Sequence, residues 1–138
     1  MLERVLILFL LALAIAAGWG LLRLWRGAKL RGLRGEAPLA GLVPMGRPAV
    51  VAFSTATCAE CRARQAPALA RLAAALGDAV TVRSLSALDH PDLIRRIGIL
   101  TVPATLVLDR EGRVRELNLG YASDERLREQ LLTIDDYQ

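Results

Sequence analysis

Residues 49–65 read AVVAFSTATCAECRARQ, and this stretch decides the fold of the chain. It begins with the apolar run Ala49–Phe53, whose length and branched side chains predict a strand buried on both faces. A short polar segment follows, and then Cys58 and Cys61 open a segment of helical periodicity. The order is therefore strand, loop, two cysteines and helix.

The helix is predicted over residues 59–76, closed by Gly77. Its apolar residues recur at steps of three and four, and the polar positions between them are Arg62, Arg64, Gln65 and Arg71. Free N–H groups and the helix dipole favour an anion at a helix N-terminus, which predicts a stabilised thiolate at Cys58. Cys61, one turn further along, is placed to attack a mixed disulfide.

Two other interpretations of the cysteine pair remain open, an inert buried pair and half of a metal site. Zinc in a structural site takes four ligands, whereas the chain has two Cys and one His. A metal would therefore need ligands from a partner chain, and no metal site is predicted within this one.

Strand-like and helix-like segments alternate beyond the cysteine helix. The predicted elements are a strand at 79–85, a helix at 91–97 capped by Asp89, a strand at 104–108, a hairpin turn at 109–112, a strand at 114–119, and a helix at 123–133 capped by Ser123. We expect parallel pairings joined by helical crossovers among the first three strands and an antiparallel hairpin between the last two. The order β-α-β-α-β-β-α predicts an α/β fold, a four-stranded mixed sheet with helices on both faces.

The N-terminal segment is apolar enough to cross a membrane. Val5–Leu22 contains eighteen consecutive uncharged residues, which as a helix span most of a hydrocarbon core about 30 Å thick. We predict a transmembrane helix at 1–25, a Gly/Arg-rich linker at 26–46 and a globular domain at 47–138. A cleaved signal peptide is the alternative.

The charges of the chain are unevenly placed. Residues 1–37 hold six basic and two acidic side chains, which accounts for the whole net charge of +4. The remainder is neutral overall, so the globular part has no electrostatic footprint for nucleic acid. Five of the six basic residues follow the apolar run, and the positive-inside rule then favours the cytoplasmic side for the domain.

Residues 47–133 resemble the thioredoxin family. The resemblance is carried by the Cys58-Ala59-Glu60-Cys61 motif after a buried strand, and by Val102-Pro103 about forty residues later, leading into another strand. It implies a minimal thioredoxin-like fold in which Pro103 is the cis-proline facing the cysteines. It also implies that the Val102 backbone pairs with an extended substrate segment.

Several residues depart from the usual pattern of that family. Thr57 replaces a tryptophan, Ala59-Glu60 replaces Gly-Pro, and Ala52 replaces a buried acid that would assist proton transfer at the second cysteine. Glu60 lies between the thiols, where it could accept a proton or raise the pKa of Cys58. Pro67 follows Cys61 by six residues where the family usually has five. Thr57, Ala59 and Glu60 are therefore the expected tuning positions.

The resemblance and the residues together predict a membrane-anchored thiol–disulfide oxidoreductase of reductase or disulfide-transfer type. Cys58 would be the nucleophile and Cys61 the resolving thiol, with no cofactor. Its partners would be protein or small-molecule disulfides and a thiol electron donor. The predicted location is a bacterial cell membrane, crossed once, although many membrane-tethered bacterial relatives face the extracytoplasmic side. A peptide-binding module with a structural disulfide and a copper or zinc chaperone are the alternatives.

Overall fold

The computed structural model describes residues 1–33 and 36–135. Its elements in chain order are α1 (Leu2–Leu33), β1 (Ala49–Ser54), a π-helical turn (Cys61–Gln65) that continues into α2 (Ala66–Leu76), a 3-10 turn (Gly77–Ala79), β2 (Thr81–Ser86), α3 (Pro91–Ile97), β3 (Ala104–Leu108), β4 (Val114–Leu119) and α4 (Asp124–Asp135). The predicted α/β class and four-stranded mixed sheet are confirmed.

The strands lie in the order β2-β1-β3-β4. β1 is parallel to β2 but antiparallel to β3, and β3 is antiparallel to β4. The predicted parallel direction of β3 is therefore wrong. α3 has seven residues and is about 10 Å long, so by itself it spans only half of the ~20 Å path back along a six-residue strand. β3 starts instead at the edge where β2 ends.

The sheet separates two apolar clusters. On one face Val50, Ala52 and Val107 pack with residues of α2 and α4. These two helices are further joined by Arg71, which donates to Asp124 at 3.0 Å, and this hydrogen bond raises the pKa of Arg71 above its ordinary value. α2 and α4 thus cover this face of β1 and β3, whose continuous apolar runs predict burial on both faces.

The other face is covered by α3 and by the segment that precedes β1. Val51, Phe53 and Leu106 lie on this face. α3 is too short to cover it alone, and Leu39 and Val43 are buried against the remainder. The region predicted as linker therefore contributes to the core.

α1 is longer than the predicted transmembrane helix, because residues 26–33 are also helical. The stretch Leu2–Lys29 is a candidate membrane span by length and composition, and its most apolar part is exposed throughout. The C-terminal end of α1 contacts α3 and β4. Residues 34–35 of the predicted linker and 136–138 of the predicted domain lie outside the described residues.

The turn after β3 and the cap of α4 lie where the sequence predicts them. Gly112 has a φ of +79° in the β3–β4 turn, and the Arg126 N–H donates to Ser123 Oγ at 3.2 Å at the start of α4. The predicted Asp89 cap is wrong. Pro91 is the first helical residue of α3, so His90 occupies the capping position and Asp89 lies one residue too early.

Candidate active site

The two cysteines form a disulfide just beyond the end of β1. The Cys58 and Cys61 sulfurs are 2.13 Å apart and the two Cα atoms 5.3 Å apart. Cys58 is half-buried, whereas Cys61 is only 5% exposed on the inner side of the π turn. A reactant arriving from solvent therefore meets the sulfur of Cys58 first.

The helix start supplies a hydrogen bond to the outer sulfur. The backbone N–H of Cys61 donates to Cys58 Sγ at 3.1 Å. An N–H aimed at sulfur stabilises negative charge on it, in the same sense as the helix dipole. The Arg62 guanidinium donates to the carbonyl of Ala56 and so fixes the loop that carries Cys58.

Glu60 is paired with a neighbouring cation. Its carboxylate accepts from Arg64 at 3.2 Å in an i,i+4 ion pair with both side chains about half exposed. The Arg64 guanidinium also lies 4.1 Å from the centre of the Tyr121 ring, within cation–π range. The acidic residue between the thiols is thus offset by a positive charge that an aromatic ring helps to position.

Val102 and Pro103 lie at the same edge of the sheet as the cysteines. Phe53, near the end of β1, pairs with Ala104, the first residue of β3, so the segments that flank these residues are neighbours. The Val102–Pro103 peptide bond is cis. Pro103 is buried, Val102 is half-buried, and the Pro103 carbonyl accepts from the Gly120 N–H at 2.9 Å.

The π turn accounts for the displaced helix proline. The Ala66 N–H bonds to the carbonyl of Cys61, five residues earlier, and Pro67 has no N–H to donate. A turn of this kind holds one residue more than a regular turn. The one extra residue in the step from Cys61 to Pro67 is therefore absorbed without lengthening the rest of the helix.

Gln65 is a buried residue of this turn that the sequence pattern placed among the polar positions. It is 2% exposed, and its side-chain amide donates to the Ala122 carbonyl and accepts from the Ala122 N–H, both at 3.0 Å. The wider π turn rotates Gln65 toward the core. In the sequence, only the position of Pro67, one residue later than in the family pattern, indicates that rotation.

Ala52 is 3% exposed in β1, where the family pattern has a buried acid. It has no titratable group and cannot accept a proton from Cys61. Thr57 and Ala59 are exposed beside Cys58. Among the residues that the structure describes, no three His, Cys, Asp or Glu side chains form a group that could hold a metal.

No protein-family model matches the chain. It is 36% identical over 88 residues to a thioredoxin of Alicyclobacillus acidocaldarius subsp. acidocaldarius, covering 64% of this chain and 82% of that relative. It is 37% identical over 73 residues to a thioredoxin of Rhodospirillum rubrum, covering 53% of this chain and 68% of the relative. The chain belongs to the thioredoxin family.

Solved structures agree with this thioredoxin fold. The crystal structure of chloroplastic thioredoxin z superimposes with a TM-score of 0.58 at 18% identity, covering 66% of this chain and 80% of that one. The structure of a malarial protein gives 0.57 at 15% identity, covering 63% and 96%. With its Cys58–Cys61 pair, this thioredoxin-family chain is in general terms a thiol–disulfide oxidoreductase.

Proposed function

We propose that the protein is a membrane-anchored disulfide reductase or disulfide-transfer protein in which Cys58 attacks and Cys61 resolves. The observation that carries the proposal is the asymmetry of the two sulfurs. Cys58 is accessible and accepts an N–H, whereas Cys61 is buried one turn behind it. The Val102–Pro103 segment at the same edge is the proposed binding site for an extended substrate backbone, as the family resemblance implies.

The proposed reaction is two successive thiol–disulfide exchanges. The Cys58 thiolate attacks one sulfur of the substrate disulfide, and a mixed disulfide forms as the other substrate sulfur leaves as a thiolate. Cys61 then loses its proton and attacks Cys58 Sγ, which releases the second substrate sulfur. The substrate gains two electrons, and the protein is left with the Cys58–Cys61 disulfide. A thiol donor returns the two electrons.

The direction of electron flow is proposed from the residues between the cysteines. A strong oxidant needs a strongly stabilised thiolate, which a nearby positive charge provides. Ala59 has no charge, and Glu60 is negative and paired with Arg64. This dipeptide adds no net positive field at Cys58, which supports a reductase or transfer role.

The reduction potential of the Cys58–Cys61 pair tests the direction. We expect equilibration of the detergent-solubilised chain with glutathione to give a value nearer ~−270 mV than ~−120 mV. Glu60→Lys should raise it. A value at the oxidant end contradicts the reductase proposal. A disulfide that stays oxidised under strongly reducing conditions instead supports a binding module with a structural disulfide.

Anchoring and sidedness are also part of the proposal. The exposed apolar stretch of α1 supports a single membrane crossing, and the basic residues after it support a cytoplasmic domain in a bacterial cell. A reporter fused after Gln138 should be active only on the cytoplasmic side of the membrane. Reporter activity only on the extracytoplasmic side would show that the domain faces that side. A shortened chain that is not attached to the membrane would indicate a cleaved signal peptide.

A further inference from the structure

The ends of four strands define one edge of the sheet, which we call the active-site edge. Ser54 of β1 pairs with Ser86 of β2, and Ala104 of β3 pairs with Leu119 of β4. The Cys58 loop follows Ser54, and the cis-proline segment precedes Ala104. The β3–β4 turn with Gly112 lies at the opposite edge.

Trp25 near the C-terminal end of α1 and Ala37 beyond it lie at opposite edges of the sheet. Trp25 and Lys29 line a cavity of about 150 Å³ together with Leu100 and Leu119, the last residue of β4. Further along the chain, Ala37 lies beside Gly112: a Cβ added to Gly112 would be 3.6 Å from the Ala37 Cβ. The helical residues after Trp25 therefore lead away from the active-site edge. The part of α1 before residue 25 projects beyond the active-site edge.

The part of α1 that lies in the membrane determines how far the active-site edge is from the bilayer. The uncharged run ends at Leu22, and Trp25 follows three residues later, about 5 Å along the helix axis. A headgroup layer is roughly 5 to 8 Å thick on each side of the hydrocarbon core. Trp25 and the cavity that it lines are consequently level with the headgroups.

Two exposed apolar side chains of the domain lie at this same edge. Leu100, two residues before Val102, is 80% exposed, and Leu88, in the loop after β2, is 75% exposed. Trp25 is 52% exposed and Arg26 lines the same cavity. Apolar and aromatic side chains mixed with basic ones suit contact with the surface of a bilayer.

We propose that the active-site edge faces the bilayer and that its substrates are disulfides held at headgroup height in membrane-bound partners. The inference rests on the anchoring and exchange chemistry of the proposed function. It adds that disulfides far above the membrane are poor substrates, because the domain stands between them and Cys58.

The first test measures the height of the edge. The chain has only two cysteines, so Cys58→Ala with Cys61→Ala leaves no native thiol. Into this full-length background we would introduce Leu100→Cys, Leu88→Cys or, as the matched control at the opposite edge, exposed Glu111→Cys. Each would carry a fluorophore in phosphatidylcholine vesicles containing nitroxide-headgroup lipid. We expect quenching at 100 and 88 to exceed that at 111 several-fold.

Flotation separates the two possible failures. A chain that does not float with vesicles would disprove the anchoring in the proposed function. A chain that floats, yet shows equal quenching at the two edges or more quenching at 111, would overturn the orientation alone. The two leucine positions are independent, so a variant that fails to fold does not remove the test.

The second test compares substrates at two heights. A disulfide peptide would be coupled to lipid directly or through a polyproline spacer of about 20 residues, ~60 Å long. The reduced native chain in the same vesicles should reduce the directly coupled peptide several-fold faster, and detergent should abolish the difference. Equal rates in vesicles would overturn the substrate class, while failure with both peptides and with a small aromatic disulfide would disprove the exchange chemistry.

Discussion

At the scale of single residues, the two sulfurs of the active site are surrounded differently. Cys58 is half-buried and receives the Cys61 N–H, while Cys61 is almost fully covered. After reduction, iodoacetamide near neutral pH should therefore modify Cys58 well before Cys61, as read by peptide mass mapping. In Cys61→Ser, mixed disulfides should accumulate on Cys58. Faster alkylation of Cys61 would reverse the assigned roles.

We expect Arg64 to limit the effect of the Glu60 charge on Cys58. Arg64→Ala leaves the Glu60 carboxylate unpaired between the cysteines, so the pKa of Cys58 should rise and its alkylation at neutral pH should slow. Glu60→Gln should act in the opposite direction. The pH dependence of the alkylation rate measures both changes.

Arg95→Ala is the matched control for that experiment, because Arg95 pairs with Asp92 on α3 and is well exposed. It should leave the alkylation profile unchanged. An Arg64→Ala profile identical to the native one would mean that the Glu60 charge does not reach the Cys58 sulfur.

The candidate site residues could be proposed from the sequence for a local reason. Cys58, Cys61 and Pro103 were recognisable because each follows or precedes an apolar run of strand length. The Arg64–Tyr121 contact joins residues 57 positions apart, and no periodicity reports which aromatic ring a cation will meet. Contacts of that kind depend on how the elements pack, and a single sequence does not reveal them.

At the scale of elements, the π turn depends on Gln65 to hold it against the loop before α4. Gln65→Ala removes both partners of the buried Ala122 backbone and should lower the free energy of unfolding by about 2 to 4 kcal/mol. Gln65→Met keeps most of the volume but makes neither bond, so it should remain destabilising. Hydrogen exchange of the β1 amides in the detergent-solubilised chain measures both. Native-like stability of Gln65→Met would show that volume alone matters.

The direction of β3 shows where element-level prediction failed. The segment from 91 to 97 was correctly predicted as helical, but a helix between two strands does not by itself determine that they are parallel. Here α3 spans only about half the length of a six-residue strand, and β3 starts at the edge where β2 ends. The π turn was missed for a related reason, since one extra residue changes the face of a helix without interrupting it.

At the scale of the whole molecule, the segment between α1 and β1 belongs to the domain. Leu39 is 2% exposed and packs in the core beneath β1 and β3. Leu39→Ala should lower the free energy of unfolding by about 2 to 5 kcal/mol. Met45→Ala, in the same segment but 60% exposed, should change it by less than about 0.5 kcal/mol. Hydrogen exchange of the β3 amides checks both variants. If both change the free energy of unfolding equally little, this segment is a linker and not part of the core.

The sequence did not reveal this segment as part of the core because its composition is that of a connection. Residues 26–46 include five glycines and three arginines, and composition does not report the few positions that become buried. Leu39 and Val43 fill space that a seven-residue helix leaves open on one face of the sheet. Their burial follows from the shortness of another element, far along the chain.

The continuation of α1 to Leu33 bears on how the proposed membrane-anchored protein encounters its substrates. A flexible linker of 20 residues would let the domain explore a radius of roughly 25 Å above the membrane. With α1 as the proposed anchor, its packing on α3 and β4 removes most of that freedom. Encounter with the proposed membrane-bound substrates then becomes lateral diffusion of two proteins in one plane. The rate should therefore follow the number of partner molecules per unit area of membrane and be insensitive to the volume of the compartment.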